Sequence, residues 1–135
     1  MQWLIDIAKE AMENWIYDNG IYRYRGDPAA VDFISATLTK DGVYHDLDLS
    51  GIVDENAKAV NLVIYCNCVN AGTTSLYKAK GQVNPANTSQ IITQIASVPF
   101  AADIQVAIDS TGKIEYNIGA ATWIFYSITV KGWWL

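Results

Sequence analysis

The run Ala59-Val60-Asn61-Leu62-Val63-Ile64-Tyr65-Cys66-Asn67-Cys68-Val69 constrains this chain more than any other stretch. Strand side chains alternate with period two, so Val60, Leu62, Ile64, Cys66 and Cys68 fall on one face. Asn61, Val63, Tyr65 and Asn67 fall on the other. The first face suits a core. The second is half polar, as in a sheet packed on one side and partly wet on the other. The run reads as a central strand, and the remaining chain must supply its partners.

Downstream and upstream segments alternate in the same way. Strands are expected over 31–38 (Ile34, Ala36 and Leu38 inward), 44–49 (Leu47 and Leu49 inward) and 74–80 (with Leu76). More follow over 91–98, over 102–109 (Ala102, Ile104, Val106 and Ile108 inward) and over 113–118 (Ile114, Tyr116 and Ile118 inward). The segment 122–134 closes the chain with Ile124, Tyr126, Ile128 and Val130 inward. Lys40-Asp41-Gly42, Asn70-Ala71-Gly72 and Ser110-Thr111-Gly112 carry turn residues, and 81–89 is the longest polar loop. About eight short strands with regular turn signals mean an antiparallel β-sandwich or barrel. Several connections longer than a hairpin favour a jelly-roll-like sandwich, and no second helical segment offers a parallel crossover.

Ahead of the strands, Leu4, Ala8, Ala11 and Trp15 follow heptad-like spacing, flanked by Ile5 and Met12. Asp6, Lys9, Glu10, Glu13 and Asn14 take the other faces, which makes an amphipathic helix ending at Asp18-Asn19-Gly20. A helix this short is marginal alone in water. Two destinations fit the stripe: the chain's own β-domain, or a coiled coil shared between subunits. The organisation is then a packing or stem helix over 1–20, a linker over 21–30 and a β-sandwich head over 31–135. The Arg25-Gly26-Asp27 tripeptide reads as a tight turn before Pro28.

The 135-residue chain has a formal net charge of −5 with nine basic residues. That excludes a phosphate-backbone partner and docking to anionic lipid, both of which need clustered Lys and Arg. No stretch approaches the ~18 apolar residues of a membrane span, and the N-terminus lacks a signal-peptide pattern. Charged residues are only 17%, below the usual quarter or so. Part of the surface is therefore expected in a subunit interface, although Asn, Thr, Ser and Gln also solvate a β-surface. Cys66 and Cys68 share a strand face at a Cα separation of about 6.6–6.8 Å, at the far edge of disulfide geometry. They read as reduced, buried thiols.

Asp46 and Asp48 share a strand face beside Asp41 and His45, a pattern open to calcium or acid–base chemistry but commoner as a solvated surface. A lone histidine leaves no Ser-His-Asp arrangement, and no phosphate loop, zinc or redox motif is present. No metal or other cofactor is expected. The aromatic residues are the better lead for binding. Adjacent Trp133 and Trp134 should face opposite ways unless Gly132 introduces a bulge, leaving one in the core and the other outward. With Tyr77, Asp41, Tyr44 and the 81–89 loop, the outward tryptophan makes the candidate ligand surface.

The run Asp46-Leu47-Asp48-Leu49-Ser50-Gly51-Ile52-Val53, the lead Ala57-Lys58-Ala59-Val60, and the close Ile128-Thr129-Val130-Lys131-Gly132-Trp133-Trp134 resemble the β-sandwich head domains of phage tail fibres and virion spikes. The tumour-necrosis-factor and C1q type of trimer shares that architecture. The resemblance covers roughly residues 30–135. It implies a virion-located, non-enzymatic homotrimer with a helical stem, held together in part by Leu4, Ala8, Ala11 and Trp15, that attaches to a cell-surface glycan or protein receptor. A monomeric carbohydrate-binding module, a purely structural virion protein and a glycan-degrading enzyme are the alternatives. The last lacks a credible pair of carboxylates.

Overall fold

A computed structural model describes residues 1–18 and 21–135. One helix, α1 (Gln2–Asp18), precedes nine strands. These are β1 (Tyr22–Tyr24), β2 (Phe33–Ile34), β3 (His45–Asp48), β4 (Ala59–Cys68), β5 (Thr74–Ala79), β6 (Ser89–Ile92), β7 (Phe100–Ala107), β8 (Lys113–Ile118) and β9 (Trp123–Trp134). The first sheet runs β1-β9-β4-β7, with β2 also on β9, and the second runs β3-β8-β5-β6. Every pairing is antiparallel. From β2 onward the chain alternates between the sheets, except at the β5–β6 pair. This is jelly-roll connectivity, as the long connections predicted.

The alternation of β4 is the reason it sits in the middle. Val60, Leu62, Ile64, Cys66 and Cys68 are buried, and the first four share one core cluster with Leu47, Tyr77, Ile91, Ile114, Tyr116 and Ile118 of the second sheet. Each fully buried aliphatic side chain contributes about 1.5–3 kcal/mol. The two cysteines are free thiols, and burial pushes Cys66 up to about 12. Between the sheets the Tyr77 and Tyr126 hydroxyls hydrogen-bond each other, which gives each buried phenol oxygen a partner in the core.

Two bulges decide how β9 presents its side chains. Asn61 pairs Gly132 and Leu62 pairs Val130, so Lys131 is an extra residue. Asn67 pairs Phe125 and Cys68 pairs Trp123, so Ile124 is another. Each extra residue shifts the in–out parity by one. Val130 and Trp133 are therefore both buried, and Ile124, expected inward, is exposed. Gly132 is where β1 crosses closely. A Cβ there would come within 2.6 Å of the Arg23 carbonyl oxygen and would also strike the Tyr22 hydroxyl.

Other expectations are corrected. The 31–38 strand shrinks to β2 followed by a 3-10 turn at Ser35–Thr37. Phe33 packs on the core, whereas Ile34 and Ala36 face solvent. Lys40 Nζ donates to the Ser35 and Leu38 carbonyls and holds that turn. The linker contains β1, so the sandwich begins before residue 31. Strand β6 stops at Ile92, and the chain beyond it turns with Ser97 at φ 59.

Arg25 is held within the fold. Its guanidinium forms a bidentate pair with Asp32, and it also donates to the Val130 carbonyl. Asp32 accepts the Val130 N–H at 2.8 Å as well. The clamp ties the segment after β1 to the middle of β9.

The helix is the main departure. Every residue from Met1 to Trp15 is exposed, Trp15 at 58%. Leu4, Ala8 and Ala11 of the stripe are exposed rather than packed on the chain's own β-domain, and β1, which follows the helix, pairs beside the C-terminal end of β9. The Asn19-Gly20 part of the expected helix stop lies outside the described residues.

Candidate functional site

Strand directions define two ends of the sandwich. At the helix end lie β1, the start of β4, the end of β9 and the 81–88 loop. At the distal end lie the end of β4, the starts of β5 and β7, and the turn before β3, where Gly42 N–H donates to the Ile118 carbonyl. The candidate ligand residues do not converge. Tyr77 is fully buried in the core, so it offers no surface to a ligand. Trp133 is also buried, because the Lys131 bulge turns it inward. Trp134 is the outward tryptophan, partly shielded by Tyr22 with ring centroids 4.7 Å apart. It belongs to the helix end, as does the 81–88 loop.

Asp41 and Tyr44 are at the distal end. Asp41 accepts from His45 Nε2 at 2.9 Å and from the Val43 N–H at 3.0 Å. The His45 bond first, and then the Val43 amide, hold its carboxyl below the usual aspartate range. Lys78 Nζ sits 4.1 Å from the centroid of the Tyr44 ring, a cation–π contact that occupies one ring face. His45 tilts over Tyr116 at 5.8 Å, so the lone histidine is accounted for by Asp41 and a ring neighbour.

Asp46 and Asp48 are likewise engaged. Asp46 pairs with Lys80 at 2.7 Å, and Asp48 accepts the Ser50 N–H at 2.9 Å. Among the described residues no cluster of His, Cys, Asp and Glu is arranged to hold a metal ion. Also among them, no helix is long and apolar enough to cross a membrane.

Two features had no place in the sequence expectations. The first is an apolar pocket of about 180 Å³ at the distal end, lined by Ile92, Gln94, Ile95, Val98 and Phe100. It opens where β6 gives way to the loop leading into β7. The run from Ile91 to Val98 does not alternate, and this was the available signal that the strand does not continue through it. The second feature is the outer face of the first sheet. Ile34, Ser127, Tyr65 and Ala101 lie in one row across it. The Tyr65 ring packs against Phe125 at 4.8 Å, and Tyr65 is 47% exposed. Tyr22, Tyr24 and Trp134 stand on the same face nearer the helix.

No protein-family model matches the chain, and a search of curated proteins finds no match.

Proposed function

We propose that this chain is a non-enzymatic attachment head of the virion or tail-fibre type. It assembles as a homotrimer on its N-terminal helix and binds a cell-surface receptor, a glycan in the favoured reading, at the end away from that helix. The observation that carries the reading is the exposed helix itself. Trp3, Leu4, Ile5, Ile7 and Met12 are all exposed beside a jelly-roll head. An amphipathic helix of this length needs a partner to be stable, and its apolar residues from Trp3 to Met12 are left exposed by the head. A helical stem shared by copies of the chain supplies it, and sets the distal loops facing outward.

The distal end offers the Asp41–Tyr44 turn and the loop around Ile95 and Val98 as contact surface. The pocket there is small and open, so single-site affinity is weak, and several heads on one particle supply avidity. The test is binding of the full chain, displayed multivalently, to a glycan array and to whole cells. Binding that is lost on substituting Tyr44 and Val98, with the circular dichroism spectrum unchanged, supports the reading. An absence of binding to every glycan and cell favours a structural virion component, and hydrolysis of a bound glycan overturns the non-enzymatic assignment.

A further inference from the structure

The two outer faces of the sandwich differ in chemistry. On the second sheet, charges neutralise one another in place: Asp46 pairs with Lys80 at 2.7 Å and Lys78 with Glu115 at 3.6 Å. Such a surface is well solvated. On the first sheet, the distal half of the outer face carries Ile34, Tyr65, Ala101, Ile124 and Phe125 without a charge among them. The helix-proximal half carries Tyr22, Tyr24 and Trp134. Between them Lys131 and Asp103 pair at 2.9 Å, which adds no net charge to the face. The partly or fully exposed tyrosines and tryptophans of the head, Tyr44 and the core-packed Trp123 excepted, are thus gathered on one face.

We propose that the outer face of the first sheet packs on a second copy of this chain, with Tyr65 and Phe125 of neighbouring copies gathered around the symmetry axis. The proposal rests on the homotrimer reading and says which surface of the head closes the trimer. Charge favours this occupant. Each copy carries −5, so copies repel unless they meet where neither has charge, and this half-face is such a place. Interface cores are enriched in aromatic residues and depleted of charge, which is the composition found here. Size favours it too. A stable interface takes about 20–30 residues a side, more than this patch holds, so a second apolar surface must contribute. The helix is that surface, and it joins the head through β1, the edge strand of the same sheet.

The test is sedimentation equilibrium of the full chain with two substitutions at one position. Tyr65→Glu buries an unpaired charge at the contact and weakens association by on the order of a hundredfold or more, giving monomer at micromolar concentration. Gln90→Glu, on the outer face of the second sheet, leaves the trimer intact. Tyr65→Cys cross-links copies under mild oxidation, seen as a covalent dimer on a non-reducing gel. The wild-type thiols are buried and give none. The cross-link also decides the matter if Tyr65→Glu fails to fold. A wild-type monomer overturns both the attachment-head reading and this interface. A wild-type trimer that tolerates Tyr65→Glu and forms no cross-link through Tyr65→Cys overturns the interface alone.

Discussion

Replacing Asp32 by Ala removes the anchor of the segment that joins β1 to the sandwich. The carboxylate side chain is 8% exposed and its Arg25 partner 20%. It receives both guanidinium nitrogens and the Val130 N–H. Breaking a buried ion pair by removing one partner costs about 3–5 kcal/mol, because the other charge stays behind. Here Arg25 keeps the Val130 carbonyl at 3.2 Å and some solvent, which moves the loss to about 2–4 kcal/mol. For a domain of this size each kcal/mol lowers Tm by roughly 4 °C, so calorimetry at fixed chain concentration should show a fall of about 8–16 °C. Arg25→Ala combined with Asp32→Ala should cost less than the two single losses added, since no stranded charge remains. A fall below ~4 °C, or strict additivity in the cycle, would show that the clamp does not hold β1 to β9 and refute the reasoning.

Thiol titration of the native protein should find Cys66 and Cys68 slow to react, and both fast in denaturant; a lack of reactive thiol in denaturant without reductant would mean a disulfide. Burial raises Cys66, Tyr77 and Tyr126 above their ordinary values. The folded state therefore holds these protons more tightly than the unfolded chain, and stability is full below about pH 9 and falls as pH rises through the alkaline range. Urea midpoints measured from pH 8 to 11 check this, and a flat profile would contradict it. Gly132→Ala should displace β1 and cost about 1–3 kcal/mol, with a change in the near-ultraviolet signal of Tyr22 and Trp134; an unchanged signal would mean that β1 does not cross there. Trp15→Ala should leave the head's own unfolding within ~0.5 kcal/mol while weakening assembly, because the residue is 58% exposed.

The sandwich was legible where alternation is strict. Strands β4 and β8 match their expected positions and facing, because each carries an unbroken apolar row on one side. Strand β9 was legible in extent and, at Tyr126, Ile128 and Val130, in facing; Ile124 was misread, and which tryptophan turns inward stayed open, since the bulges at Ile124 and Lys131 follow from how β4 lies beside it. Tyr77 was misread for a related reason: its burial depends on Tyr126, distant in sequence, to satisfy the hydroxyl. Strand β1 is too short to leave a pattern, and its place is fixed by Gly132 and the Arg25–Asp32 clamp. The distal pocket was hidden because Ile91, Ile92 and Ile95 look like strand residues until the chain turns. The helix stripe was plain in the sequence, but its partner is a question of assembly, which periodicity alone leaves open.

Sedimentation equilibrium of the unmodified chain at micromolar concentration tests the central claim most directly. The account predicts a single species of about three times the 14.9 kDa chain mass. A single species at the chain mass itself would contradict it, leaving the exposed helix without the shared stem on which the attachment reading depends.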